Sequence, residues 1–434
     1  MTKKNTFQTP IGTRDVQPAD AARWQALISA FQHEAELAGY GLLHTPIFED
    51  LGVFRRLGEG TDVVTKEMYD FVDKGDRTMA LRPEGTAAVC RSFVQHRPPT
   101  PWKVWYHGPF FRYESPQAGR QRQFSQLGIE AIGSADPDID VEVIAVAAKV
   151  LEAVGLQRVL LLINTMGDAE TRVTYTAAVR EHLQTNIEEL DESDRAKVAD
   201  HPLRVLDSKH ASSREVTARG PQLSEFLSAA AISHFERVQA GLGALGIAFA
   251  IEPRLVRGLD YYTHTLFEFQ ASALDGAQNT LCGGGRYDGL VEELGGPDTP
   301  GIGFAMGIER LLLACDAERT YAPPDLRPQV WVIDVTDGTS ARDLTHQLRT
   351  AGHRADRSFD GRSMRSQMKA ADRSGAVVAL IVGDSELADG TVAVRRLRES
   401  ADQAIIARTD VVDHVAQILA ESPAAPASKD EDIQ

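Results

Sequence analysis

The feature that most constrains this chain is a pair of segments, WKVWYHGPFFRYES and RQFSQLGIEAIG, separated only by the polar run PQAGRQ. Their two-residue alternation around a short polar turn predicts an antiparallel hairpin from about Val104 to Gly133. On its second strand Phe124, Gln126, Gly128 and Glu130 share one face and Leu127 and Ile129 the other. One face belongs to a core, and the other offers an aromatic ring, an amide and a carboxylate in one row. Arg112 and Glu114 lie across the hairpin, and the turn supplies Gln117, Arg120 and Arg122. A guanidinium donates two parallel hydrogen bonds and suits phosphate. A half-exposed strand with solvated arginines fits the same pattern.

Helices and strands are interleaved around this hairpin without strict βαβ repetition, which makes the class α+β. Ala19 to Ala38 carries Trp24, Leu27, Ile28 and Phe31 at helical spacing, and Gly39 supplies a stop. GYGLLHTPIFED follows as a strand broken by Pro46, a residue suited to a sheet edge or an interface. Further expectations are a helix over Asp138–Val154, a strand over Arg158–Asn164, and an inserted helical module at about 171–237. Strands resume at Gly246–Pro253, LDYYTHTLFEFQ and LCGGGRYDGL, and a helix follows GIGFAMG. YAPPDLRP is an extended connector. The expected domains are therefore 1–325 and a small α/β domain at 326–420, with a disordered tail at 421–434.

Several function classes are excluded. No apolar run reaches the roughly 18 residues needed to span a bilayer, and the basic start lacks a secretory apolar stretch, so a cytoplasmic, non-membrane protein is expected. Cys90, Cys282 and Cys315 stand apart, giving neither a disulfide framework nor a cysteine-built zinc site, and no protein-held metal is expected. A net charge of -16 argues against non-specific coating of nucleic acid. Local basic patches must carry any such contact. One is the stripe Arg362, Arg365, Lys369 and Arg373, whose spacing puts the four within an arc of about 80° on a helix starting after Gly361. It is expected to touch nucleic-acid phosphate.

Other segments are too unusual for plain packing. Arg257, Gly258, Asp260, Tyr261 and Tyr262 crowd a phosphate ligand against two phenols, and Tyr287 follows Gly283, Gly284 and Gly285, glycines that permit close approach of a ligand. GIGFAMGIERLLL lacks the lysine of a P-loop and does not complete GxGxxG. Gly301, Gly303 and Gly307 are expected instead to let a helix pack on a sheet, with Arg310 near that helix's start.

FRYESPQAGRQRQFSQLGIEAIG resembles motif 2 of the class II aminoacyl-tRNA synthetases, GIGFAMGIERL resembles motif 3, and GYGLLHTPIFED resembles motif 1. LVRGLDYYTHTLFEF, LCGGGRYDGLVEELGG and LRPEGTAAVCR are similar to segments of the histidyl-tRNA synthetases. The resemblance runs to about residue 420. It implies an antiparallel sheet flanked by helices, a homodimer built through motif 1, and a C-terminal anticodon-binding α/β domain. It further implies that Glu84, Thr86 and Gln126 hold the α-amino group of L-histidine, that Gly85 belongs to the same histidine site, and that Glu130 and Tyr262 bond the imidazole. Tyr261 and Tyr287 would line that pocket, and Phe124 and Arg310 would sandwich adenine. Arg112 and Arg120 would bind ATP phosphates, and Arg257 would bridge the α-phosphate and the histidine carboxylate. ATP would arrive with Mg2+, and the cognate histidine tRNA would accept the product. Ser115, Thr263 and His264 depart from the usual pattern without removing a contact. The alternative is a histidine-sensing, non-catalytic regulatory paralogue of histidine biosynthesis; a sister synthetase fits the Glu130 and Tyr262 pair less well.

Overall fold

The protein is described from a computed structural model covering residues 7–56, 64, 66–255, 261–274, 279–322, 324–399 and 402–421. The chain forms two compact units, Met1–Tyr321 and Ala322–Gln434. The expected tail beyond Glu421, together with Arg257, Gly258 and Asp260, lies outside the described residues.

The strands of the first unit are β1 (Gly41–Leu42), β2 (Phe48–Asp50), β3 (Asp70–Val72), β4 (Thr78–Leu81), β5 (Trp102–Phe111), β6 (Gln123–Ile132), β7 (Val159–Thr165), β8 (Ala250–Ile251), β9 (Thr263–Ala271), β10 (Thr280–Arg286) and β11 (Gly301–Gly307). Eight form one sheet in the order β1-β5-β6-β11-β10-β9-β7-β8, and β2, β4 and β3 form a small second one. The large sheet is antiparallel from β5 to β7, with β1 and β8 added in parallel at its edges. Helices flank it, giving the α+β arrangement expected from the alternation of residues.

The β5–β6 hairpin is paired from Trp102↔Ile132 to Phe111↔Gln123. Leu127, Ile129 and Ala131 enter one core together with Leu27, Phe31 and Ala35 of the Pro18–Leu37 helix and Ile144, Ala147 and Val150 of the Pro137–Ala153 helix. Pro18 opens the first helix, where a missing N–H costs nothing. Gly39 turns the chain out of it at φ +83, a conformation open to glycine. The opposite sheet face carries Tyr106, Phe110 and Tyr287 in a second core.

Local expectations need three corrections. The motif around Pro46 forms two short strands, β1 and β2, on either side of the proline. Of Gly246–Pro253 only Ala250–Ile251 pairs, on an edge that Pro253 cannot extend. The helical stretch is a set of helices, among them Ala169–Thr185, Ala211–Ala218 and Ala229–Ala244, with a cluster of its own around Tyr175, Val179, Leu183 and Val216. Its entry and exit are tied together. Asp168 accepts hydrogen bonds from Thr171 N at 2.8 Å and from Ser228 Oγ at 2.5 Å, and Ser228 caps the Ala229–Ala244 helix.

The second unit contains β12 (Val330–Asp334), β13 (Ala355–Arg357), β14 (Val378–Val382), β15 (Thr391–Arg396) and β16 (Ala404–Ala407), in the order β13-β12-β14-β15-β16. The first three are parallel and the last two join antiparallel. The helix expected after Gly361 begins at Met364, because Ser363 at its N-cap is extended (φ -60, ψ 153). Arg362 therefore stands in the preceding turn, while Arg365, Lys369 and Arg373 lie on the helix, and all four are exposed.

One ion pair ties the first unit's layers together. Asp140, on the Pro137–Ala153 helix, and Arg286, at the end of β10, have no exposed side-chain surface and meet at 2.5 Å. Asp140 also accepts from Thr265 Oγ1 at 2.5 Å and lies 2.8 Å from His234 Nε2; Arg286 donates to the carbonyls of Ser134 and Asp136. Asp140→Ala leaves the buried guanidinium with only the Asp288 carboxylate, at 3.3 Å, as a charged partner, and the expected loss in urea unfolding is about 3 kcal/mol. Adding Arg286→Met should recover part of it. A loss below about 1 kcal/mol for the single variant would contradict this account.

Candidate active site

One pocket, with about 960 Å³ of space including open solvent, lies over the face of the sheet opposite the Pro18–Leu37 and Pro137–Ala153 helices. The turn before the Thr86–His96 helix gives it Glu84, Gly85 and Thr86; the hairpin gives Arg112, Arg120, Phe124 and Gln126; Tyr261, Tyr262, Tyr287 and Arg310 complete the predicted set. The fold thus gathers into one cavity residues more than two hundred positions apart.

Glu130 stands just behind this lining, fully buried. Its Oε1 accepts from Thr86 Oγ1 at 2.7 Å and from Tyr106 OH at 3.3 Å, and its Oε2 from Tyr287 OH at 2.7 Å. Burial pushes its pKa up to about 8; the hydroxyls oppose that rise and the neighbouring Glu84 adds to it. Glu84 is buried too, with its pKa raised by the same loss of hydration, and its carboxylate accepts from the backbone N–H groups of Thr86 (2.6 Å) and Ala87 (2.8 Å). It thereby satisfies the helix's free donors. Gln126 Oε1 is buried and has no hydrogen-bond partner among the described residues. A buried acceptor in a pocket wall is costly unless something donates to it.

The cationic side is held largely by carbonyls. Arg112 Nε donates to Pro83 O at 3.0 Å, and Arg310 donates to Gly119 O at 3.2 Å and Thr280 O at 3.1 Å. Arg120 pairs with Glu114 at 2.9 Å. Over the Phe124 ring lies Arg112, 5.3 Å from the centroid, and Phe124 and Arg310 line the same pocket.

The glycines serve packing more than ligand approach. Gly283 borders the pocket, but a Cβ on Gly284 would overlap the Gly303 carbonyl and one on Gly285 would come within 2.8 Å of the Tyr262 ring. Gly301 and Gly303 lie on β11, where side chains would strike the Tyr287 ring and Glu130 Oε2; a helix seat was the wrong explanation for them. His264 is outside the lining, stacked on His234 with ring centroids 4.7 Å apart. Tyr106 and Glu309 were missed. Glu309 lines the pocket and accepts from Ser125 N at 3.0 Å. Tyr106 had a signal, because it pairs with Gly128, and a Cβ on either Gly85 or Gly128 would overlap its ring.

A family model for histidyl-tRNA synthetase matches residues 12–311. The chain belongs to the histidyl-tRNA synthetase family. A second model, for an anticodon binding domain, matches residues 329–418. Among the relatives, a histidine–tRNA ligase of Thermosynechococcus vestitus is 46% identical over 414 residues, covering 94% of this chain and 95% of that protein. One of Geobacillus kaustophilus is 47% identical over 401 residues, covering 90% and 94%. The solved apo histidyl-tRNA synthetase of S. aureus is 35% identical, with a TM-score of 0.81, covering 94% of this chain and all of that one. Among the described residues no helix is long and apolar enough to cross a membrane.

Glu130 gives this synthetase-family pocket a pH signature. Its ordinary value is 4.5 and its folded value about 8, so between them the folded state holds a proton that the unfolded chain has released. Stability contributed at this site therefore falls as pH rises through that window and levels off above it. Glu130→Gln cannot titrate. Its stability relative to the parent should rise from pH 5 to pH 8 in urea unfolding, and a difference independent of pH would refute the assignment.

Proposed function

We propose that this protein activates L-histidine with ATP to histidyl-adenylate and pyrophosphate, and then transfers the histidyl group to the 3' end of its cognate tRNA. The observation that carries the reading is one pocket with two chemically distinct ends. At one end Glu84, Gln126 and the tyrosines surround the site for a small polar substrate, with Glu130 buried just behind them; at the other, Arg112, Arg120, Arg310 and Phe124 suit a nucleotide triphosphate. The unpaired Gln126 oxygen fits an α-ammonium donor. Glu130, near 8, and an imidazole, ordinarily ~6.5, together carry one proton near neutral pH, and either arrangement of it supplies a hydrogen bond between them. Tyr262 bonds the second ring nitrogen.

The reaction needs no enzyme nucleophile. The histidine carboxylate attacks the α-phosphate of ATP, pyrophosphate leaves, and the terminal ribose hydroxyl of the tRNA then takes the histidyl group as AMP leaves. The protein supplies position and charge. Mg2+ arrives with the ATP phosphates. Glu114 and Glu309 are already engaged by Arg120 and by Ser125 N, and are not assigned to the metal. Arg257 has the role of touching both the attacking carboxylate and the α-phosphate. Homodimerisation through the Pro46 segment and a cytoplasmic setting follow from the family reading.

The regulatory-paralogue reading is disfavoured by the match to an anticodon binding domain and by relatives named as ligases along most of the chain. ATP–pyrophosphate exchange across the twenty amino acids tests the choice: histidine-dependent exchange is expected, and none with any amino acid would overturn the ligase reading. Arg257→Ala should slow single-turnover adenylate formation at least about a hundredfold while transfer from preformed adenylate changes much less. An unchanged activation rate would remove Arg257 from the catalytic set.

In the second unit, Arg362, Arg365, Lys369 and Arg373 are assigned to tRNA phosphate. Reversing the charge of Arg365 and Lys369 should weaken tRNA binding and flatten its salt dependence, with amino-acid activation unaltered. Unchanged tRNA affinity at two salt concentrations would exclude the stripe.

A further inference from the structure

The hairpin loop that carries Arg120 is braced from far away in sequence. Pro10 and Thr13 close a turn through Thr13 N (3.0 Å) and Thr13 Oγ1 (2.8 Å) on Pro10 O. Gly12, inside that turn, accepts from the backbone N–H groups of Arg122 at 2.8 Å and Gln123 at 3.2 Å. Arg122 O in turn accepts from Arg112 N at 2.9 Å, which closes the base of the loop.

Side chains repeat the same layering. Arg122, although a loop cation, is absent from the pocket lining: its Nε donates to Glu114 O at 3.2 Å and its guanidinium lies 3.9 Å from the Tyr113 ring centroid. Tyr113 N donates to Glu67 O at 2.7 Å. On the other side the Arg122 stem lies against Gly12, where an added Cβ would meet Arg122 Cγ at 2.6 Å and Cβ and Cδ at 2.9 Å. Gly12 also has φ +80, which an L side chain adopts only under strain. Both the space and the backbone at this position require glycine.

We infer that Gly12 and Arg122 are positioning residues for the nucleotide end of the pocket: the N-terminal turn clamps Arg122, and Arg122 fixes the loop from which Glu114, Arg120 and Gln121 reach the cavity. This rests on reading that end as the ATP site. An unbraced loop of this length samples many conformations, and every one that misaims Arg120 loses the contact it would make with phosphate. Sequence alone left Arg122 between a phosphate contact and a solvated loop position. The structure turns its charge onto an aromatic face and a carbonyl, and leaves Arg120 facing the pocket.

The test is ATP–pyrophosphate exchange by the full chain carrying Gly12→Ala, Arg122→Ala, or both. Each single variant should raise the KM for ATP about ten- to a hundredfold, as expected when a binding group is misplaced by about an ångström, with the histidine KM little changed. Because Arg122→Ala removes the Cγ and Cδ that the new Cβ strikes and leaves only the Arg122 Cβ at 2.9 Å, the double variant should be no worse than the worse single one. Equal rises in both KM values, or an unchanged ATP KM in folded Arg122→Ala, would overturn the clamp. If the parent exchanges pyrophosphate with another amino acid, the histidine reading fails while the ATP effect can still be scored.

Discussion

A carboxyl group without exposed surface organises the pocket side of the sheet. Glu130 is reached by hydroxyls from three separate segments, Thr86, Tyr106 and Tyr287, and each had to be brought within hydrogen-bond distance. Burying such a group without partners is prohibitively costly, so the packing around it is constrained more tightly than an apolar core of equal size. The glycines record that constraint. Gly303 gives the carboxylate its space, Gly85 and Gly128 admit the Tyr106 ring, and Gly301 admits Tyr287. Four backbone positions on three segments are thus fixed by one acid and the two phenols that serve it.

The same arrangement explains what could be read along the chain and what could not. Period-two alternation identified the hairpin within about two residues, because the two faces of β6 enter different surroundings, an apolar core on one side and the pocket and Thr86–His96 helix on the other. Helix termini were legible wherever a proline opened or a glycine closed them, as at Pro18 and Gly39. The gathering of Glu84, Gln126, Tyr262 and Arg310 was not visible in the alternation itself; it came through resemblance to a family, since nothing local relates residues so far apart. Errors arose where a residue's partner is remote. Gly301 and Gly303 look like helix-packing glycines until Tyr287 and Glu130 are seen against them, and Arg122 looks like a phosphate ligand until Gly12 and Tyr113 enclose it. Tyr106 has no motif-like neighbours, and its importance follows only from the register that sets it opposite Gly128.

The way the cations are held bears on how the pocket can work. Arg112 and Arg310 both donate to main-chain carbonyls, which orient a guanidinium through dipoles. Contacts of this kind set the geometry before a ligand arrives, while Glu84 near Arg112 and Glu309 near Arg310 contribute negative field at the same time. Arg120 is different, because Glu114 already balances it at 2.9 Å. A phosphate approaching Arg120 must compete with that carboxylate or leave it nearby as a like charge. The fixed pair therefore suits interactions that must be in place when charge develops at the reacting phosphorus, where preorganisation counts most. The balanced arginine suits a part of the ligand that has to leave. A loop arginine that trades one anion for another also depends most on the bracing of its loop, since neither partner alone determines where it points.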